Sequence, residues 1–263
     1  MPISTETPHM NYVPSQHAWT SPRTVRKILR HFDIFSLVTI SSTSRMLHEL
    51  ATEALLERTA SLWSLYGDAA TLTRMMSRTS SVASGYAVLK YLSDPWFALD
   101  PQIEILDIYV TERYQSIVLT TLTSSQGYKI IDSESFSSLD GENSLSCIRH
   151  CWILRSRNDP RRVINLWYTN AQHALVPILY SESTHLMNIL SSTTLFSLYP
   201  ALTQSKRAVA RGILLPTHSY ISECADLGYS IRVLQQKFIW SQWAWDYARP
   251  HRWTAIRAKI AAI

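Results

Sequence analysis

Residues 81–110 constrain this 263-residue chain more than any other stretch, because strand-like and helix-like periodicity follow each other there within one short span. The second half, Ile103-Glu104-Ile105-Leu106-Asp107-Ile108-Tyr109-Val110, is dominated by β-branched and aromatic residues and predicts a strand. Alternation sends Ile105, Asp107 and Tyr109 to one face and Glu104, Leu106, Ile108 and Val110 to the other. The first half, Ser81-Val82-Ala83-Ser84-Gly85-Tyr86-Ala87-Val88-Leu89-Lys90, predicts a short strand over 81–84, a turn at Gly85 and a helix over 86–92. A loop with Asp94-Pro95-Trp96 follows. The chain is thus committed to a strand, turn, helix, loop, strand unit with one carboxylate, Asp107, inside an apolar strand.

Upstream, residues 1–20 hold three prolines and no apolar periodicity, and read as a flexible lead-in. Ser21-Pro22 is a helix start, and Val25, Ile28, Leu29 and Phe32 recur at helical spacing behind it. Asp33 caps a second helix carrying Ile34, Leu37 and Val38. A third helix begins near Ser42 or Thr43 and continues its apolar face to Gly67, and Asp68 starts a fourth that ends near Arg78.

Downstream of the central unit, residues 112–125 predict a helix ended by Gly127. Residues 145–155 and 162–169 predict a hairpin about the Arg157-Asn158-Asp159-Pro160 turn, and 132–143, rich in serine, a surface loop. Helix is expected over 176–190 with a break near Ser183. A long helical tract is expected over 228–263, interrupted by Pro250 and holding Trp240, Trp243, Trp245 and Trp253. Tryptophans at helical spacing bury against a core more often than they stack on bases.

Composition narrows the function classes. With 46% hydrophobic and 17% charged residues the chain buries a real core, and its polar surface is built from hydroxyls more than ions. The net charge of +5 is gathered in short clusters such as Arg23, Arg26, Lys27 and Arg30, which read first as solvated faces and only second as nucleic-acid contacts. Three cysteines cannot all pair, which fits a reducing compartment. Cys147, His150 and Cys151 lack metal-site geometry, since a strand would turn His150 away from both thiols. No signal-like segment and no run of bilayer length is present, so cytoplasm or nucleus is expected, with no membrane partner. Six glycines form no phosphate loop, and Ser183, His173 and His185 carry no nucleophile-elbow context.

Two resemblances add to this reading. The run from Val25 through Ser41, followed by Ser44-Arg45, resembles an F-box, the helical module that docks on a Skp-type adaptor, although Ser21-Pro22 stands where the module opens with Leu-Pro. A helical cap packed on the main domain explains the same spacing and is the favoured reading. The second resemblance spans roughly residues 25–205. Ser84-Gly85-Tyr86-Ala87-Val88-Leu89, Ile105-Leu106-Asp107-Ile108-Tyr109-Val110, Gly127-Tyr128, Ile164-Asn165-Leu166-Trp167, Thr184-His185-Leu186-Met187-Asn188 and Leu198-Tyr199-Pro200-Ala201-Leu202-Thr203 occur in that order. Together they resemble fungal, basidiomycete-type nucleotidyltransferase-like proteins of unknown function.

That resemblance implies an α+β fold, a nucleotidyltransferase-like mixed sheet flanked by helices with an N-terminal helical cap. It divides the chain into a lead-in (1–20), the cap or F-box-like region (21–78), the core (79–205) and a helical, Trp-rich extension (206–263). It also implies a degenerate site at Gly85, Tyr86, Ile105, Asp107 and Asn165. In the family a serine follows the glycine and carboxylates stand at the other positions, whereas here Tyr86, Ile105 and Asn165 replace them; Asp107 alone is kept, and is a metal ligand only if a site survives. Two-metal phosphoryl transfer needs carboxylates that bridge both ions, and neither isoleucine nor an amide supplies one. Arg113 or a backbone cap is the expected partner of Asp107.

The expected function is therefore a non-catalytic binding or scaffold module with a protein partner and no cofactor. The alternatives are an F-box-type receptor bound to a Skp-type adaptor, or a residual enzyme that uses magnesium and a nucleoside triphosphate.

Overall fold

The computed structural model describes residues 21–94, 96–97, 105–136, 147–181, 183–211 and 227–234. Four helices come first: α1 (Pro22–Leu29), α2 (Ile34–Ser41), α3 (Arg45–Tyr66) and α4 (Ala69–Thr79). Their starts follow capping chemistry, since the side chains of Asp33, Ser44 and Asp68 accept the backbone N–H groups of Ser36, Leu47 and Thr71. Ser21 makes no such bond, and Pro22 opens α1 on its own fixed φ. The α4 helix ends at Ser80, which adopts a left-handed φ of 50°.

The remainder is organised on a sheet. β1 (Val82–Ser84) turns directly into α5 (Gly85–Ser93), and β2 (Ile105–Thr111) leads through a 3-10 turn (Glu112–Tyr114) into α6 (Gln115–Thr120) and a π turn (Thr121–Ser125). Then come β3 (Tyr128–Ser135), β4 (Ile148–Ser156), β5 (Val163–Thr169), the short α7 (Val176–Leu179), β6 (Asn188–Leu190), β7 (Leu195–Ser197) and α8 (Pro200–Gln204). Seven strands form one mixed sheet in the order β3-β4-β5-β2-β1-β6-β7. β2 and β5 are parallel neighbours with Asp107 opposite Asn165, and the other pairings are antiparallel. A separate parallel pair joins β8 (Arg207–Arg211) and β9 (Ser230–Leu234). The molecule is thus a mixed α+β protein built on a mixed sheet with helices.

Alternation along the strands decides the layers. Leu106, Ile108 and Val110 of β2 and Ile164, Leu166 and Tyr168 of β5 are buried, in one hydrophobic cluster with Leu29, Ile34, Leu37, Leu50, Leu62 and Trp63 of the N-terminal helices. The opposite face carries Asp107, Tyr109, Asn165 and Trp167. A second, smaller cluster forms where Ala174 and Ile178 pack with Val82 and Ile189 and cover Tyr109.

One buried cation fastens the N-terminal helices to this body. Arg58 of α3 is 8% exposed and donates to the carbonyls of Phe32, Tyr91 and Asp94, while its guanidinium lies 5.5 Å and 5.1 Å from the ring centroids of Tyr91 and Phe97. Burial lowers its pKa, partly offset by Tyr91, Asp94 and Asp33. Thr59, one residue on, shares a 2.7 Å hydrogen bond with the Tyr91 hydroxyl.

Several expectations need correction. Residues 176–190 are not one helix: α7 ends at Leu179, a 3-10 turn spans Thr184–Leu186, and Asn188–Leu190 is strand β6 beside β1. Pairing at the free edge of β1 outweighs the helical spacing, and the Thr184 hydroxyl accepts the Val209 N–H instead of supporting a helix. The segment expected as a loop from residue 132 is strand up to Ser135, an exposed edge strand whose polar composition reflects having no buried face. The extension from 206 opens with strand β8, and Ser230–Leu234 is a strand rather than helix, because each gives the other its backbone partner. The lead-in 1–20, Glu104, Pro95, Cys224 and the tryptophan-rich tract beyond 234 lie outside the described residues.

Replacing Arg58 with alanine takes the guanidinium donor from the carbonyls of Phe32, Tyr91 and Asp94, of which only Asp94 keeps a backbone donor, from Phe97, so the unfolding free energy in urea is expected to fall by about 3 kcal/mol. Lysine, lacking the planar fork, is expected to recover only part of that loss. A loss below about 1 kcal/mol in Arg58→Ala would mean that water replaces the guanidinium and the tether is dispensable.

Candidate functional site

Three of the residues singled out from the sequence, Gly85, Asp107 and Asn165, meet where β1 passes into α5. Ser84 lies opposite Asp107 in the β1–β2 register, and Gly85 starts the helix at a φ of +79°. Only a residue without a side chain fits there: a Cβ on Gly85 would sit 2.1 Å from Oδ2 of Asp107. The Ser84 hydroxyl is turned the other way and bridges to the carbonyls of Leu186 and Asn188 at 2.8 and 2.7 Å, which ties the end of β1 to the approach to β6.

Asp107 is 4% exposed. Its Oδ1 accepts two N–H groups, Nδ2 of Asn165 at 3.0 Å and Nε1 of Trp167 at 2.9 Å. Burial raises its pKa above the ordinary carboxylate value, and the bonds from Trp167 and Asn165 oppose that rise. The Trp167 ring is held by stacking on Tyr109, with centroids 6.1 Å apart and planes 14° from parallel, and by Phe136 at 6.1 Å.

The five predicted positions are therefore only partly brought together. Gly85, Asp107 and Asn165 are in one cluster. Tyr86 is half-buried at the second position of α5. Ile105 is 40% exposed at the start of β2 and takes no part in the contacts around the carboxylate. Arg113, the expected partner of Asp107, instead stacks over the ring of Tyr114 at 4.3 Å beyond the end of β2. The partner missed in the sequence is Trp167. Strand alternation puts 167 on the same face as 165, but the reach of an indole N–H across to a neighbouring strand depends on the β2–β5 pairing.

This donor set does not fit a divalent cation. Magnesium takes anionic or carbonyl oxygens in a tight octahedron, whereas the two groups nearest Oδ1 of Asp107 present hydrogens. Among the described residues no three His, Cys, Asp or Glu side chains converge. His150 engages Ser135 at 2.9 Å while Cys151 is buried next to it in β4, so that trio is not assembled either.

The other tempting pair, Ser183 and His185, is joined by a 2.6 Å bond from the serine oxygen to Nδ1, and both are 3% exposed. Burial pulls His185 down to about 4, so the ring is neutral at ordinary pH. The serine hydroxyl also donates to the Val209 carbonyl, which links β8 to the preceding turn. A sealed, doubly bonded serine has the geometry of a structural clasp.

No family model matches the chain, and neither the curated proteins nor the solved structures include a match to it.

Two outcomes follow from this geometry. Gly85→Ala combines a left-handed φ with the Asp107 clash and is expected to cost about 2 kcal/mol or more in urea denaturation. In an Asp107→Ala background the clash is gone and only about 1 kcal/mol should remain; equal penalties in both backgrounds would separate the glycine from the carboxylate.

The second outcome concerns pH. The folded chain holds the Asp107 proton more tightly than the unfolded chain, so protonation stabilises the fold at low pH. That contribution is lost as pH rises from about 4 through the folded pKa. Asn at 107 keeps the accepting oxygen without the charge. Asp107→Asn is thus expected to melt at or above the parent at pH 7.5, with the gap closing towards pH 4. A gap that widens on acidification would refute the raised pKa.

Proposed function

We propose that this chain is a non-catalytic protein of nucleotidyltransferase type, acting as an intracellular binding or scaffold module. The observation that carries the reading is the state of Asp107. The one carboxylate at the positions the resemblance assigns to ligands is buried and its Oδ1 accepts N–H groups from both Asn165 and Trp167, while the strand pairing around it is intact. Ile105 brings no oxygen and Asn165 has become a clamp on Asp107 rather than a third carboxylate. The adjacency of β2 and β5 and the glycine turn at the end of β1 support the family reading, because a mixed sheet with those two strands side by side is what the resemblance implies.

The helices α1 to α4 form a cap in this proposal. An F-box receptor would present Leu29 and Leu37 to an adaptor, and both are sealed in the common core, with Phe32 and Ile40 only partly buried beside them. That burial favours the cap over docking on a Skp-type adaptor. No helix among the described residues is long and apolar enough to cross a membrane. A protein partner is the proposed ligand class, in cytoplasm or nucleus.

The test is thermal melting with each nucleoside triphosphate and magnesium. No magnesium-linked rise is expected. A saturable rise that disappears in Asp107→Ala would overturn the proposal in favour of a residual enzyme. The triple variant Tyr86→Ser, Ile105→Asp, Asn165→Asp should melt lower than the parent without metal, because it adds two carboxylates on the face of buried Asp107, and should recover on adding magnesium if the ligand frame is ancestral.

A further inference from the structure

A cleft of about 920 Å³ opens where the parallel strands β2 and β5 end, at Thr111 and Thr169, about four residues along β2 from Asp107. That places it roughly 13 Å from the carboxylate, at the other end of the strand. Beyond the carboxyl ends of this one parallel pair the outgoing chains diverge and leave a crevice, as they do in open parallel sheets, where ligands bind at such a point. Here the walls are the end of α4 with Ser77 and Ser80, the turn after β2, the segment 170–175, and the β6–β7 turn. Its size is within the range of small-molecule sites.

The lining specifies the chemistry. Ser77, Ser80, Asn170 and Gln172 face the cleft with side chains that hydrogen-bond to none of the described residues, and all four both donate and accept. Glu112 and Arg113 contribute one charge of each sign and so cancel, with His173 the remaining basic group of the lining. Arg113 is braced against Tyr114, whose hydroxyl accepts from it. Phe196 and Leu175 are apolar yet 37% and 36% exposed, and both line this same space. A matching ligand is neutral overall, carries several groups that donate and accept at once, and offers an apolar C–H face to a phenyl ring. A pyranose ring meets all three conditions.

We propose that this cleft is a binding site for a neutral saccharide. The proposal is independent of the nucleotidyltransferase reading, since it uses none of Gly85, Tyr86, Ile105, Asp107 or Asn165.

The test is titration of the full chain with glucose, mannose, N-acetylglucosamine and maltose, followed by saturation-transfer NMR and calorimetry. At least one sugar is expected to bind saturably. Phe196→Ala and Gln172→Ala replace exposed side chains and leave the fold intact, and the first is expected to weaken binding about tenfold. Asp107→Asn should leave the affinity unchanged. Absence of binding by all four sugars up to their solubility limits overturns the proposal. So does binding that survives both substitutions, or tighter binding of glucuronate or adenosine than of any neutral sugar.

Discussion

A carboxylate sealed between two N–H donors and a glycine is the constraint around which the centre of this molecule is arranged. Asp107 fixes three elements at once. It accepts from two side chains of β5, it lies opposite Ser84 at the end of β1, and it forbids any side chain at the first residue of α5. Moving any of the three breaks a buried hydrogen bond or creates a clash, and neither loss is compensated by water at 4% exposure. The order β5-β2-β1 at the middle of the sheet and the abrupt passage from strand to helix at Gly85 are the structural record of that arrangement.

The rest of the fold is attached to this centre by similar devices, each a polar group satisfying buried backbone. Arg58 closes three carbonyls between the helical layer and α5, Ser84 closes two between β1 and β6, and the Ser183–His185 clasp together with Thr184 reaches β8. Apolar packing alone is indifferent to small sliding of helices over a sheet. Directional bonds to fixed carbonyls are not, and they set the register in which the common core closes.

These devices divide the sheet functionally. At the Gly85 end Asp107 and Ser84 are buried and hydrogen-bonded to neighbouring strands, which holds the fold. At the ends of β2 and β5 the polar groups face open space with exposed apolar neighbours. Asn165 and Trp167 supply the N–H donors that let Oδ1 of Asp107 sit inside the sheet.

Much of this was legible in one dimension. The caps at Asp33 and Asp68, the β1–α5–β2 unit, the β4–β5 hairpin and the shared face of residues 105 and 107 follow from side-chain chemistry and strand period, which are local properties of the chain. Three things were decided only in tertiary structure. The polar stretch beginning at Asp132 became strand because β4 offered a free edge, and Asn188–Leu190 and Ser230–Leu234 became strands for the same reason, overriding helical spacing. The partner of Asp107 proved to be Trp167 and Asn165 rather than Arg113, since the neighbour across a parallel pair is fixed by register, not by distance along the chain. The sequence by itself determined that a carboxylate would stand in the sheet without a second carboxylate at 105. Whether that carboxylate faced water, metal or N–H donors depended on which strand lay beside it, and that is a property of the assembled sheet alone.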